Sequence, residues 1–187
     1  MGAVLVVALW EAVARAARLG PRSRRRGEVM VVGTLLVAII ALLVDSDPLS
    51  AATDLLIAAN TLVIGVVIGR ALLRERTVTV STLAGALSLY LLIGLLFAQL
   101  YQAAQQISGH AFSFAAGSVE RFELVYFSFI TLTTVGYGDV VPALDTTRAL
   151  AATEAVTGQL FLVTIVARVI ATMGHERPSR FRDTRDP

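Results

Sequence analysis

Residues Thr131–Asp139 read TLTTVGYGD. The stretch offers three threonine hydroxyls, one phenol and one carboxylate, with no histidine and no cysteine. No base stands beside a nucleophile here, so covalent catalysis has nothing to work with. What is unusual is the backbone. Gly136 and Gly138 flank Tyr137, and glycine accepts positive φ without steric cost. A strand over Thr134, Val135, Gly136, Tyr137 and Gly138 can therefore reverse its twist at every second residue. Such a strand can turn successive carbonyl oxygens to one side. Four copies around an axis would stack rings of oxygens able to replace the water shell of a dehydrated cation. Thr134 would add a hydroxyl ring at the inner end, and Val135 and Tyr137 would brace the strand from behind.

A strand of this kind must be held by protein, because irregular backbone at membrane depth is tolerated only when packed or lining a watery path. Residues 118–134, just before it, suit a re-entrant helix. Ser118 is a candidate N-cap, and Glu120 and Glu123 lie near the N-terminus, where the helix dipole favours acids. The segment LVYFSFITL is apolar enough to pack between spans. Seventeen residues reach about 25 Å as a helix, too short to cross and return.

The rest of the chain reads as a membrane protein. Of 187 residues, 56% are hydrophobic and 16% charged, against roughly 25% charged in soluble domains. Mean hydropathy is +0.72. With no cysteine and only His110 and His175, disulfides, thiolate metal sites and thiol nucleophiles are excluded, and a histidine metal site is not expected. No cofactor and no nucleic-acid partner are expected.

The opening MGAVLVVALW has no basic n-region and no small-residue cleavage site, so it reads as mature chain. Over residues 2–19, Glu11, Arg15 and Arg18 share one helical face, which favours a helix lying in the interface; a short extra span is the rival reading. Residues 21–27 form a basic turn. Spans are expected at 29–44, 51–69 and 80–106, with a proline turn at 45–50 and a basic break from Arg70 to Arg76. A loop at 107–117 precedes the re-entrant helix, and 145–173 is the last long helix. Arginine clusters at 15–26, 70–76 and 177–185 all fall on one side with four spans, which the positive-inside rule makes cytoplasmic. The glycine-rich loop then faces outside, in a plasma-membrane protein.

The stretch Thr134–Asp139, TVGYGD, resembles the selectivity filter signature of the potassium channel superfamily, and residues 80–173 resemble its bacterial-type pore module: outer helix, pore helix, filter, inner helix. The resemblance implies potassium selectivity by backbone carbonyls, with K+ held at Thr134, Val135, Gly136 and Tyr137. It implies a homotetramer, an all-α multipass fold and passive conduction. Gly158, twenty residues after Gly138, stands where inner helices often carry a hinge; close helix packing is the plainer reading of the same glycine. Leu162 and Val166 are candidates for a cavity wall, and 167–173 for the gate. Pro142 resembles the proline that starts the exit from the filter.

There are departures. Ile130 stands where some bacterial relatives place a glutamate that pairs with the filter aspartate. Asp139 needs another partner, and Tyr126, aligned with a tryptophan in many relatives, can supply a hydroxyl. Thr133, Tyr126, Asp139 and Glu154 are therefore the expected filter supports. For Glu154 two readings stand: a brace bonded to Ser128 or Thr131, or a carboxylate facing water near the outer mouth.

Three parts follow: 1–79, an amphipathic helix plus two spans without the regular intramembrane arginines of a voltage sensor; 80–173, the pore; and 174–187, a charged cytoplasmic tail too short for a ligand-binding domain. Arg22, Arg24, Arg25 and Arg26 are expected to meet anionic lipid headgroups. Arg168 is expected to snorkel to the inner interface, and Asp54 and Asn60 to face protein. The competing functions are a non-selective or non-conducting homologue and a cation transporter subunit. An enzyme is the least expected reading.

Overall fold

A computed structural model of the chain describes residues 47–74, 80–114 and 121–173, together with 32, 33, 36, 39 and 40, which are helical. The interfacial helix, most of the 29–44 span, Arg22–Arg26, Ser118, Glu120 and the tail lie outside the described residues.

Four helices and two short strands make up the rest: α1 Asp47–Arg74, α2 Val80–Ser108, β1 Phe112–Phe114, α3 Arg121–Leu132, β2 Val140–Pro142 and α4 Asp145–Met173. Three stretches, Leu49–Leu73, Thr82–Ser108 and Asp145–Arg168, are long and apolar enough to cross a membrane. At 1.5 Å per residue the 29 residues of α2 reach about 43 Å, ample for a hydrocarbon core of about 30 Å. The 12 residues of α3 reach about 18 Å and cannot cross.

Two expected boundaries are corrected. The proline turn at 45–50 ends early, because α1 already begins at Asp47. Pro48 falls in the first turn, where its missing N–H leaves no helical bond unmade. The basic break at Arg70–Arg76 is helical through Arg74.

The loop at 107–117 is also more ordered than its composition implies. α2 closes at Gly109, which takes a φ of 72° and donates its N–H to the Gln105 carbonyl. β1 then pairs antiparallel with β2, Phe112 opposite Pro142 and Phe114 opposite Val140. The fold is mostly helical, consistent with the all-α expectation, with one short two-stranded ribbon in this loop region. The ribbon pairs because both strands bury one apolar side chain, Phe112 and Val140. Thr147 at the head of α4 reinforces it by donating to the Ala111 carbonyl, 3.1 Å away.

The core joins these elements around α3. Phe97, Tyr101, Phe112, Leu124, Phe127 and Val140 form one buried cluster. Within it Tyr101, Phe112 and Phe127 meet edge to face at centroid distances of 5.1–5.3 Å, the geometry ring quadrupoles prefer. One ring comes from α2, one from β1 and one from α3, so the trio fixes the short helix against its neighbours. Gly94 lets α2 approach α3 closely. A Cβ there would meet the Phe129 ring at 2.8 Å. Gly94→Ala is expected to cost about 1–3 kcal/mol by overpacking, read as a lowered thermal midpoint of the purified protein.

α1 packs along α2. Asp54 and Asn60 are both buried, as expected of side chains that face protein, and the Gln106 amide donates to Asp54 at 2.8 Å.

Candidate functional site

The last four carbonyls of a helix have no partner within it. In α3 these belong to Phe129, Ile130, Thr131 and Leu132. The chain that follows satisfies three of them. Thr133 N–H donates to Phe129 O at 3.0 Å, Thr134 N–H to Thr131 O at 3.0 Å, and Ile130 O accepts from both Val135 at 2.8 Å and Gly136 at 3.2 Å. The fourth, Leu132 O, accepts the Tyr90 hydroxyl from α2 at 3.1 Å. Every N–H from Thr133 to Gly136 thus turns back to the helix. Among the described residues, no hydrogen bond reaches the carbonyls of Thr134 to Gly138.

The backbone alternates over the same stretch. Thr134 has φ 61°, Gly136 φ 53° and Gly138 φ 78°, with Val135 and Tyr137 between them in ordinary space. Thr134 is the only non-glycine residue with positive φ among the described residues. A left-handed conformation there costs about 1–2 kcal/mol, and strain of this kind gathers at functional positions. A strand with alternating sign and unclaimed carbonyls is equipped to present oxygens to a ligand.

Side chains brace the strand from α3. The Tyr126 and Tyr137 rings lie parallel within 5°, centroids 6.5 Å apart. The Tyr126 hydroxyl donates to Asp139 Oδ2 at 2.8 Å, and the other Asp139 oxygen accepts its neighbour Val140 N–H at 3.0 Å. Asp139 is thus bonded to a phenol where Ile130, buried, offers no side-chain polar group. That hydrogen bond, reinforced by partial burial and the Asp139 charge, pushes the Tyr126 phenol up to about 12 from 10.0. The phenol's contribution is therefore complete below its ordinary value of 10.0 and is lost as pH rises through about 12. Tyr126→Phe keeps the ring and removes the donor. It is expected to lower the thermal midpoint of the purified protein at neutral pH, and wild type is expected to approach the mutant's midpoint only as pH rises through about 12.

Glu154 is fully buried, which removes the reading that it faces water at the mouth. Its carboxyl meets Ser128 through Oε1 and accepts the Tyr101 hydroxyl at Oε2, 2.6 Å away. Gly158, one turn further along α4, lies under the end of α3, where a Cβ would stand 2.7 Å from Leu132 O. Close approach therefore accounts for glycine at this position. Leu162 and Val166 are exposed on the single chain, and Arg168 is half-buried.

Tyr90 and Tyr101 are the residues sequence reading did not single out. Their signal was a phenol within an apolar span, where a hydroxyl must find a partner. Among the described residues, no cluster of histidine and carboxylate side chains could hold a metal ion.

The sequence model of the family described as Ion channel matches residues 77–175, more than half of the chain. Two-pore potassium channel 1 of Arabidopsis thaliana is 40% identical over 82 residues, 44% of this chain and 20% of that protein. Two-pore potassium channel 4 of the same plant is 46% identical over 46 residues, 25% of this chain and 16% of its own length. Two pore potassium channel a of Oryza sativa subsp. japonica is 36% identical over 83 residues, 44% of this chain and 22% of its own. The matched stretches span about a fifth of the length of these relatives.

Proposed function

The chain belongs to the ion channel family and is a membrane protein, and from that premise we propose that it conducts potassium selectively through a homotetrameric pore. One observation carries this reading. Thr134, Gly136 and Gly138 take positive φ in alternation while the N–H groups before and between them are bonded into α3. The carbonyls of Thr134, Val135, Gly136, Tyr137 and Gly138 are then the free chemistry of the loop. Rings of such oxygens from four chains replace the hydration shell of K+, and the ion moves down its gradient.

In this reading α3 is the pore helix, α2 the outer helix and α4 the inner helix. Thr133, Tyr126 and Asp139 hold the strand, Glu154 anchors the pore helix, and Gly158 is both the packing point and the place where the inner helix bends. Leu162 and Val166 line the cavity, a reading their exposure on the single chain supports. The loop faces outside the plasma membrane, and the basic segments face the cytoplasm, with Arg22, Arg24, Arg25 and Arg26 on anionic headgroups.

Reconstitution tests the proposal. Purified protein in liposomes is expected to carry a K+ flux that Na+ does not sustain, and cross-linking is expected to saturate at four chains. A flux equal for both ions would make it a non-selective homologue, and no flux from a correctly assembled tetramer would make it a non-conducting one.

A further inference from the structure

Behind α3 lies a polar cluster sealed from solvent on every side. Glu154 of α4, Ser128 of α3 and Tyr101 of α2 are each 0% exposed. Tyr101 donates its hydroxyl proton to Glu154 Oε2 at 2.6 Å. Ser128 Oγ touches two acceptors: the Gly94 carbonyl of α2 at 2.7 Å and Glu154 Oε1.

Proton counting constrains this arrangement. A serine hydroxyl carries one proton, and a carbonyl oxygen can only accept. With the Ser128 proton on Gly94 O, the proton between Ser128 and Glu154 must come from the carboxyl. If Glu154 were ionised, Ser128 would have to turn its proton to the carboxylate. Two oxygens would then face each other at 2.7 Å with no proton between them.

The surroundings point the same way. α2 carries no charged residue, and the strands β1 and β2 carry none. α3 has Arg121 and Glu123, both in its first turn. On α4, Arg148 is turned to solvent and pairs with Asp145 at 3.6 Å; Arg168 lies about four turns away along the helix. The titratable groups facing the cluster from α2 are Tyr101 and Tyr90, the latter bonded to Leu132 O. Among the described residues no cation is seen beside Glu154, and a buried carboxylate without one is costly.

We propose that Glu154 is held as the neutral acid and acts as a positioning residue: its proton goes to Ser128, the Ser128 proton goes to Gly94, and the Tyr101 proton returns to Glu154. This run of hydrogen bonds, from Tyr101 to the Gly94 carbonyl, ties inner, pore and outer helices together without a net charge. The proposal rests on the reading of α3 as the pore helix.

Infrared spectroscopy of the full-length protein tests it independently of conduction. At neutral pH the wild-type minus Glu154→Gln difference is expected to show the C=O stretch of a protonated carboxyl. A difference made of carboxylate bands alone would overturn the proposal. Glutamine reproduces the neutral pattern, with one donor to Ser128 and one acceptor for Tyr101, so Glu154→Gln is expected to keep tetramer and flux. Glu154→Asp, which cannot reach both partners, is expected to lose flux by at least about tenfold. Equal losses in both variants would overturn the proposal. A wild-type chain with no flux would count against the channel reading alone, and the infrared band would still decide where the proton lies.

Discussion

Replacing Gly136 with alanine is expected to abolish selective K+ flux while leaving the helices folded. Gly136 has φ 53°, a region in which a Cβ collides with the following carbonyl. That costs about 1–2 kcal/mol per residue. In the proposed fourfold pore the cost recurs in each chain, giving about 4–8 kcal/mol concentrated on one ring of oxygens. Relaxing the strain means changing φ, and that breaks the 3.2 Å bond from Gly136 N–H to Ile130 O and turns the neighbouring carbonyls. No helix contact is touched, since a Cβ at Gly136 would meet nothing within 4 Å. Circular dichroism should therefore be unchanged while liposome flux is lost. Retained selective flux would mean that the alternating backbone is not the conducting element.

Gly158→Ala is expected to lower both stability and flux, and its sign separates two roles for this glycine. If Gly158 served only as a flexible point, alanine would stabilise α4 by about 1 kcal/mol through helix propensity. The packing predicts the reverse. The new methyl would stand 2.7 Å from Leu132 O and 2.8 Å from the Leu132 side chain. The carbonyl cannot yield freely, because Tyr90 already holds it and the Tyr90 ring stacks on Phe161 of α4 at 5.6 Å. Overpacking of this kind costs about 1–3 kcal/mol, and the displacement falls on the residue two before Thr134. A lowered thermal midpoint together with reduced flux is the expected result. A raised midpoint would show that Gly158 serves bending alone.

Much of this arrangement was legible in the residue pattern, and the reasons differ by element. α4 could be bounded at 145–173 because charge and proline set off a long apolar run. The alternation of glycine with larger residues pointed to positive φ at 136 and 138, since only glycine takes it cheaply. Positive φ at Thr134 was not legible: it is imposed by the bonds that fold Thr134 and Val135 back on α3, and threonine carries no local signal for it. The ribbon of Phe112–Phe114 with Val140–Pro142 was missed for a related reason. Each strand has three residues, too few to show a period, and their pairing is set by tertiary closure of a long loop. The Tyr126–Asp139 bond was anticipated from the lack of an acid at Ile130. Tyr101 was not anticipated, because its partner Glu154 is 53 residues away in sequence and nothing local marks the pair.

The start of α1 shows how a proline can mislead. Pro48 reads as a turn because it ends helices from within, yet at a first turn it starts one. Only the continuation into Ala51–Ala59, helical throughout, separates the two.

In the proposed pore the unclaimed carbonyls of Thr134–Gly138 select potassium. The reversal potential of the reconstituted protein with K+ on one side and Na+ on the other measures that selectivity. A reversal displaced strongly toward the potassium equilibrium potential is expected. A reversal near zero, meaning equal permeability to the two ions, would contradict it.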